Sequence, residues 1–123
     1  MQPKVLCIIA TLRGMGDMSE AKEVAVFEGF SFLGARSAAH RVRSQVEAAL
    51  DSSPAVVVIL NFQGVDGVAH SYADELLAPL AWRFADKLSD RVTLSNCTPT
   101  VWDEIQSVMS LHDMPLPRIE LAV

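Results

Sequence analysis

Two hydrophobic periods alternate along the chain, and the points where one gives way to the other divide it into elements. Residues 4–12, KVLCIIATL, are a continuous apolar run of strand length enriched in Val and Ile, which predicts a first strand. Two glycines and a cluster of charges across residues 13–23 then predict an exposed loop. Val24, Val26, Phe30 and Phe32 nearly alternate with small or polar residues, predicting a second strand or hairpin arm with Gly29 as a bulge position. The period then lengthens. Ala35, Ala38, Ala39, Val42, Val46, Ala49 and Leu50 fall at steps of three and four, with Arg36, Arg41, Arg43, Gln45 and Glu47 on other faces. This predicts an amphipathic helix, stopped by the Asp-Ser-Ser-Pro run at 51–54.

Residues 55–62 read as the most buried strand, β-branched and uncharged on both faces. After a glycine-bearing turn, Ala73, Leu76, Leu77, Leu80, Ala81, Phe84 and Leu88 form one helical stripe. Pro79 lies inside that stripe and predicts a kink or break there. Residues 91–96 predict a short strand with Val92 and Leu94 inward. Thr98-Pro99 then starts a helix whose core stripe is Val101, Ile105, Val108 and Met109. The tail at 112–123, with Pro115 and Pro117, reads as an edge strand or an extended flap. The order β, β, α, β, α, β, α, with a parallel crossover from the 55–62 strand to the 91–96 strand, predicts an α/β layer fold.

Composition narrows the class. The 123 residues are half apolar and one fifth charged, with six Gly and six Pro, which reads as one globular domain over 1–123 that needs no disulfide or metal. Fifteen acids against ten bases, a formal charge of -5, argue against duplex nucleic acid or an anionic membrane as the main partner. The apolar run at 5–10 is too short for a membrane span and lacks a signal-cleavage pattern, so the expected location is cytoplasmic. Cys7 and Cys97 read as buried free thiols, a disulfide between them being the alternative. No Cys/His spacing suits a metal, so no metal or cofactor is expected.

Candidate chemistry centres on residues 64–75. Ser71 follows the turn and opens the helix, where its hydroxyl reads as a cap, with Asp74 completing an S-x-x-D box, or as a site of added charge. Asp74 and Glu75, read in the first helical turn, would crowd negative charge beside a phosphate there. Catalysis ranks third: His70 and Ser71 are sequence neighbours whose side chains diverge, and no G-x-S-x-G elbow is present. His40 and His112 share no ligand spacing with His70. Gly64 and Gly67 flank Val65-Asp66 in a turn that permits positive φ but has too little glycine, and no Lys or Arg, for a phosphate cradle. Trp102 borders a core stripe and is a candidate contact residue.

The stretch VVVILNFQGVDGVAHSYADELLAPL, preceded by ARSAAHRVRSQVEAAL and followed by RVTLSNCTPTVWDEI, resembles the STAS-like domains related to anti-sigma factor antagonists. The match runs over about 35–109 and is most specific at 61–77, where residues 61–65 correspond to the family's turn and Ser71 to a serine that a partner kinase phosphorylates. Asn61 stands where the antagonists have Asp, Ala69-His70 where they have Asp-Ser, and Tyr72 where they have Gly. The resemblance implies a single STAS-like domain with a mixed sheet of four to five strands and helices packed on it. It also implies a non-enzymatic bacterial signalling role exerted through protein contact. The implied partner is a histidine-kinase-type ATPase, and self-association is left open. The implied switch is Ser71, and the expected contact residues are Gly64, Asp66, His70, Tyr72, Asp74, Glu75 and Arg36. A small-ligand or nucleotide module using the 64–71 turn is the alternative, and a hydrolase the third reading.

Overall fold

The computed structural model describes residues 20–121. The strand expected at 4–12, Cys7, and the start of the loop expected at 13–23 lie outside them. The described elements are β1 (Glu20–Ala25), β2 (Phe32–Leu33), α1 (Arg36–Ser52), β3 (Val56–Asn61), β4 (Gly67–Val68) and α2 (His70–Phe84). A 3-10 turn (Ala85–Lys87), the one-turn α3 (Leu88–Arg91), β5 (Val92–Cys97), α4 (Pro99–Leu111) and β6 (Arg118–Leu121) complete the described elements.

Four strands form a sheet in the order β1-β3-β5-β6, and β2 pairs separately with β4. Every described pairing is parallel, so the α/β expectation holds while the sheet is parallel rather than mixed. Val58 sits opposite Val92 and Leu60 opposite Leu94, and this face carries the core. Val42, Val46 and Leu50 of α1, Leu76, Leu77 and Leu80 of α2, and Val101, Ile105 and Val108 of α4 close over it. Val57, Ile59, Thr93 and Ser95 point to the other face and are also buried, which explains why β3 reads apolar throughout instead of alternating. Among the described residues no helix is long and apolar enough to cross a membrane.

Three expectations are corrected. The loop expected at 13–23 ends sooner, because Glu20 to Glu23 pair with β3 from Val56 onward; a strand with one half-exposed face accommodates charges. The second strand does not run to Phe32. It stops at Ala25, the chain bends at Glu28-Gly29 with Gly29 at φ +98°, and only Phe32–Leu33 return to a strand. The third concerns Pro79, which neither ends nor interrupts α2. Proline at 79 leaves the Glu75 carbonyl, four residues earlier, without its helical donor. Arg43 of α1 supplies one, donating from Nη1 to that carbonyl and to the Glu75 carboxylate at 2.7 Å.

Two other readings are met. Thr98 caps α4, its hydroxyl accepting from the Val101 N–H at 3.2 Å, with Pro99 following. The tail is an edge strand, β6 pairing parallel with β5.

Candidate functional site

The turn after β3 is built by Asn61. Its side-chain oxygen accepts from the Gln63 N–H and from Asn96 Nδ2, both at 2.9 Å, while its amide nitrogen donates to the Glu23 carboxylate. An aspartate here would set one carboxylate against another, so the Asn that departs from the antagonists' pattern fits a site where Glu23 stands opposite. Asn96 itself occupies a left-handed conformation, φ +58°, at a bulge in β5, which Asn tolerates better than most residues. The Val65 N–H returns to the Phe62 carbonyl at 2.9 Å, and the tight turn between them needs Gly64 at φ +92°. Gly67 is not in that region; its lack of a side chain admits the Phe32 ring, which a Cβ would meet at 3.0 Å.

Beyond the turn the chain is fastened to the β1–β2 segment. Asp66 and Gly67 N–H groups donate to the Ser31 carbonyl at 2.7 and 3.2 Å, and the Ala69 N–H to Leu33 at 2.8 Å. This pairing holds Ala69 extended, so α2 begins at His70 with Ala69 as its N-cap residue and no side-chain cap. Ser71 is therefore the second residue of the helix and not its cap, and the expected box with Asp74 does not form. Its half-buried hydroxyl donates instead to the Gly34 carbonyl at 3.2 Å, just past β2.

The remaining predicted residues separate into three places. Asp74 and Glu75 lie in the second turn of α2, not the first, and both are paired. Arg36 Nη1 reaches Asp74 at 3.2 Å and Glu75 at 3.3 Å, and His112 Nε2 lies 2.8 Å from Asp74. The Arg43 hydrogen bond, foremost, holds the Glu75 carboxyl below its usual range. These charges clamp α1, α2 and the end of α4 together. His70 is exposed and lies 3.5 Å from Glu104 of α4. Tyr72, expected at the contact surface, is instead 1 % exposed within the core. Its ring belongs to the hydrophobic core and not to the exposed surface. Among the described residues the Tyr72 hydroxyl has no hydrogen-bond partner, and burial, with the Glu28 charge second, pushes its pKa up to about 12.

Phe30 and Phe32, read from alternation as strand positions, stand on the surface instead, and Phe27 joins them there. Phe27, Phe30 and Phe32 are 43, 71 and 61 % exposed and project from the segment fastened to the turn. Phe27 packs over Gly64 and Phe32 over Gly67. The available signal was three phenylalanines within six residues around a glycine, with no partner of matching period. Trp82 stands alone on α2 at 80 % exposure, and Trp102 is half-buried at the core's rim. Among the described residues no group of three His, Cys, Asp or Glu side chains is placed to hold a metal ion.

The fold, with its serine at the start of the helix after the central strand, defines an α/β domain of STAS-like type. Residues 38–102, just over half the chain, match the family model described as a STAS-like domain of unknown function (DUF4325), and the chain belongs to that family. No curated protein and no solved structure gives a match.

Proposed function

We propose that this domain is a non-enzymatic regulator that acts in the cytoplasm by binding a protein, and that phosphorylation of Ser71 by a histidine-kinase-type ATPase switches the binding. The observation that carries the reading is the position of Ser71. Its oxygen lies at the N-terminal turn of a fifteen-residue helix, where backbone N–H groups and the helix dipole favour an anion. Tyr72 beside it is turned inward, which leaves the approach to the hydroxyl from solvent unobstructed by that ring.

Phosphorylation forms a bond from Ser71 Oγ to the γ-phosphorus of ATP, breaks the bond from that phosphorus to the bridging oxygen, and releases ADP. The hydroxyl proton passes to a base on the kinase. Ser71 then has no proton to give Gly34, and a phosphate of charge about -1.5 to -2 faces that carbonyl oxygen. Repulsion between them loosens the link between α2 and β2, altering the surface on which Phe32 sits.

The test incubates the chain with a purified histidine-kinase-type ATPase from the same source, Mg²⁺ and ATP, followed by peptide mass spectrometry and a binding titration. Phosphate on Ser71, none on Ser71→Ala, and at least tenfold weaker binding of the modified chain are expected. Ser71 unmodified after prolonged incubation with bound kinase rejects the switch.

A further inference from the structure

Phe27, Phe30 and Phe32 are the largest concentration of exposed aromatic surface among the described residues. We infer that this three-phenylalanine knuckle is the docking surface of the domain, and that it fits a partner protein presenting an apolar groove bordered by lysine or arginine. The inference rests on the contact part of the proposed function and not on phosphorylation.

Exposure alone would not distinguish a binding surface from a loose loop, but the segment is held on both sides. The Val26 N–H donates to Asn61 at 2.9 Å, Ser31 accepts from Asp66 and Gly67, and Glu28 pairs with Arg41 of α1 at 3.1 Å. The rings are thus presented by fixed backbone, with little ordering cost left for binding. Gly64 and Gly67 let Phe27 and Phe32 lie flat on the turn, while Phe30 follows Gly29, whose Cβ position is open space, and stands clear of the surface. Aromatic side chains so placed are the type that anchors interfaces by filling a partner's pocket.

Charge selects the partner's rim. Residues 26–35 and 62–71, which carry the knuckle and the turn, hold Glu28 and Asp66 but no Lys or Arg. Two arginines of α1 are engaged, Arg41 with Glu28 and Arg36 with Asp74 and Glu75. Among the described residues Asp66 is exposed and has no ion-pair partner, leaving a carboxylate at the knuckle's border that a basic group across an interface would neutralise.

The experiment places a photo-crosslinking phenylalanine analogue at position 30, or at Trp82 as an exposed aromatic control, in the full chain expressed in its source cells. The protein cross-linked from position 30 is then purified and titrated with variants of this chain. Phe30→Ser is expected to weaken binding at least tenfold, and Asp66→Lys to weaken it and lower its salt dependence. Trp82→Ser should bind like the unaltered chain. Unchanged binding by Phe30→Ser or Asp66→Lys overturns the inference. So does an adduct between two copies of this chain, an adduct with lipid or nucleic acid, or no protein adduct above that at Trp82. Because these titrations use chain never exposed to kinase and ATP, failure of the phosphorylation switch and failure of the docking surface give different results.

Discussion

Arg43 takes over a duty that belongs to a backbone N–H. Proline at 79 deprives the Glu75 carbonyl of its helical partner, and a half-buried carbonyl left unpaired costs about 1–3 kcal/mol. The guanidinium satisfies that carbonyl, bonds the Glu75 carboxylate and also contacts His40 Nδ1 at 2.9 Å, a geometry that lysine's single ammonium does not reproduce. Arg43→Ala should therefore lower unfolding stability by about 2–3 kcal/mol. Pro79→Ala, which restores an N–H at position 79, should recover part of that loss in the Arg43→Ala background. Urea unfolding of the two single variants and the double variant measures the coupling. Strict additivity would show that Arg43 and Pro79 do not share the carbonyl. The composition of α2 announced a proline in the helix but not its remedy. The periodicity assigned Arg43 to a solvated face, and only the approach of α1 to α2 turns it toward Glu75.

Helix α1 has no basic residue in its last turn, and its C-terminal carbonyls are served from elsewhere in the chain. Arg91, at the entrance to β5, donates from Nη2 to Leu50 at 2.9 Å and to Ser53 at 3.0 Å, and from Nε to Val56 at 2.7 Å. One side chain thus joins the end of α1, the turn that follows and the first residue of β3 to the neighbouring strand, while its guanidinium stacks over Phe84. Truncating it removes a donor from three carbonyls together, of which Ser53 keeps the Val56 N–H at 3.2 Å. Arg91→Ala is expected to cost about 2–4 kcal/mol in urea unfolding, and Arg91→Lys to restore less than half of that; full rescue by lysine would mean that charge alone matters. At this scale the sequence was most informative where one period persisted, as for α1, α2 and α4, and where a cap was complete, as at Thr98-Pro99. It misled where alternation crossed Gly29 and made two short strands look like one. It misled again at Ser71, where pairing of Ala69 with Leu33 fixed the helix start two residues earlier than a serine cap requires. Neither the β2–β4 pairing nor its register leaves a mark on a two-residue strand.

For the whole molecule, the apolar positions were enough to state an α/β layer fold, because β3 buried on both faces and three amphipathic helices admit few other arrangements. The knuckle was not legible, since its phenylalanines carry the same residue type as a core and differ only in standing exposed among the described residues. Burial has a further, global consequence at high pH. Tyr72 ionises near its ordinary 10.0 in the unfolded chain but at about 12 when folded, and Cys97, buried in β5, is raised from 9.0 to about 12. Between those values the unfolded state binds fewer protons than the folded one, so folding stability falls as pH rises. Glu75 works at the opposite end: with its folded pKa depressed, its contribution is present above the ordinary carboxylate pKa and is lost as pH falls through the folded value. The expected profile is a plateau from the carboxylate range up to about pH 9, then a decline to about pH 12. Tyr72 is the only tyrosine, so phenolate absorbance reports it alone. In the folded chain that absorbance should emerge near pH 12, and in urea near pH 10. Tyr72→Phe, which removes an unpartnered buried hydroxyl, should leave neutral-pH stability unchanged or raise it by about 1 kcal/mol and should flatten the alkaline decline. A phenolate appearing near pH 10 in the folded chain would place the hydroxyl in contact with water and refute the buried, unpartnered arrangement.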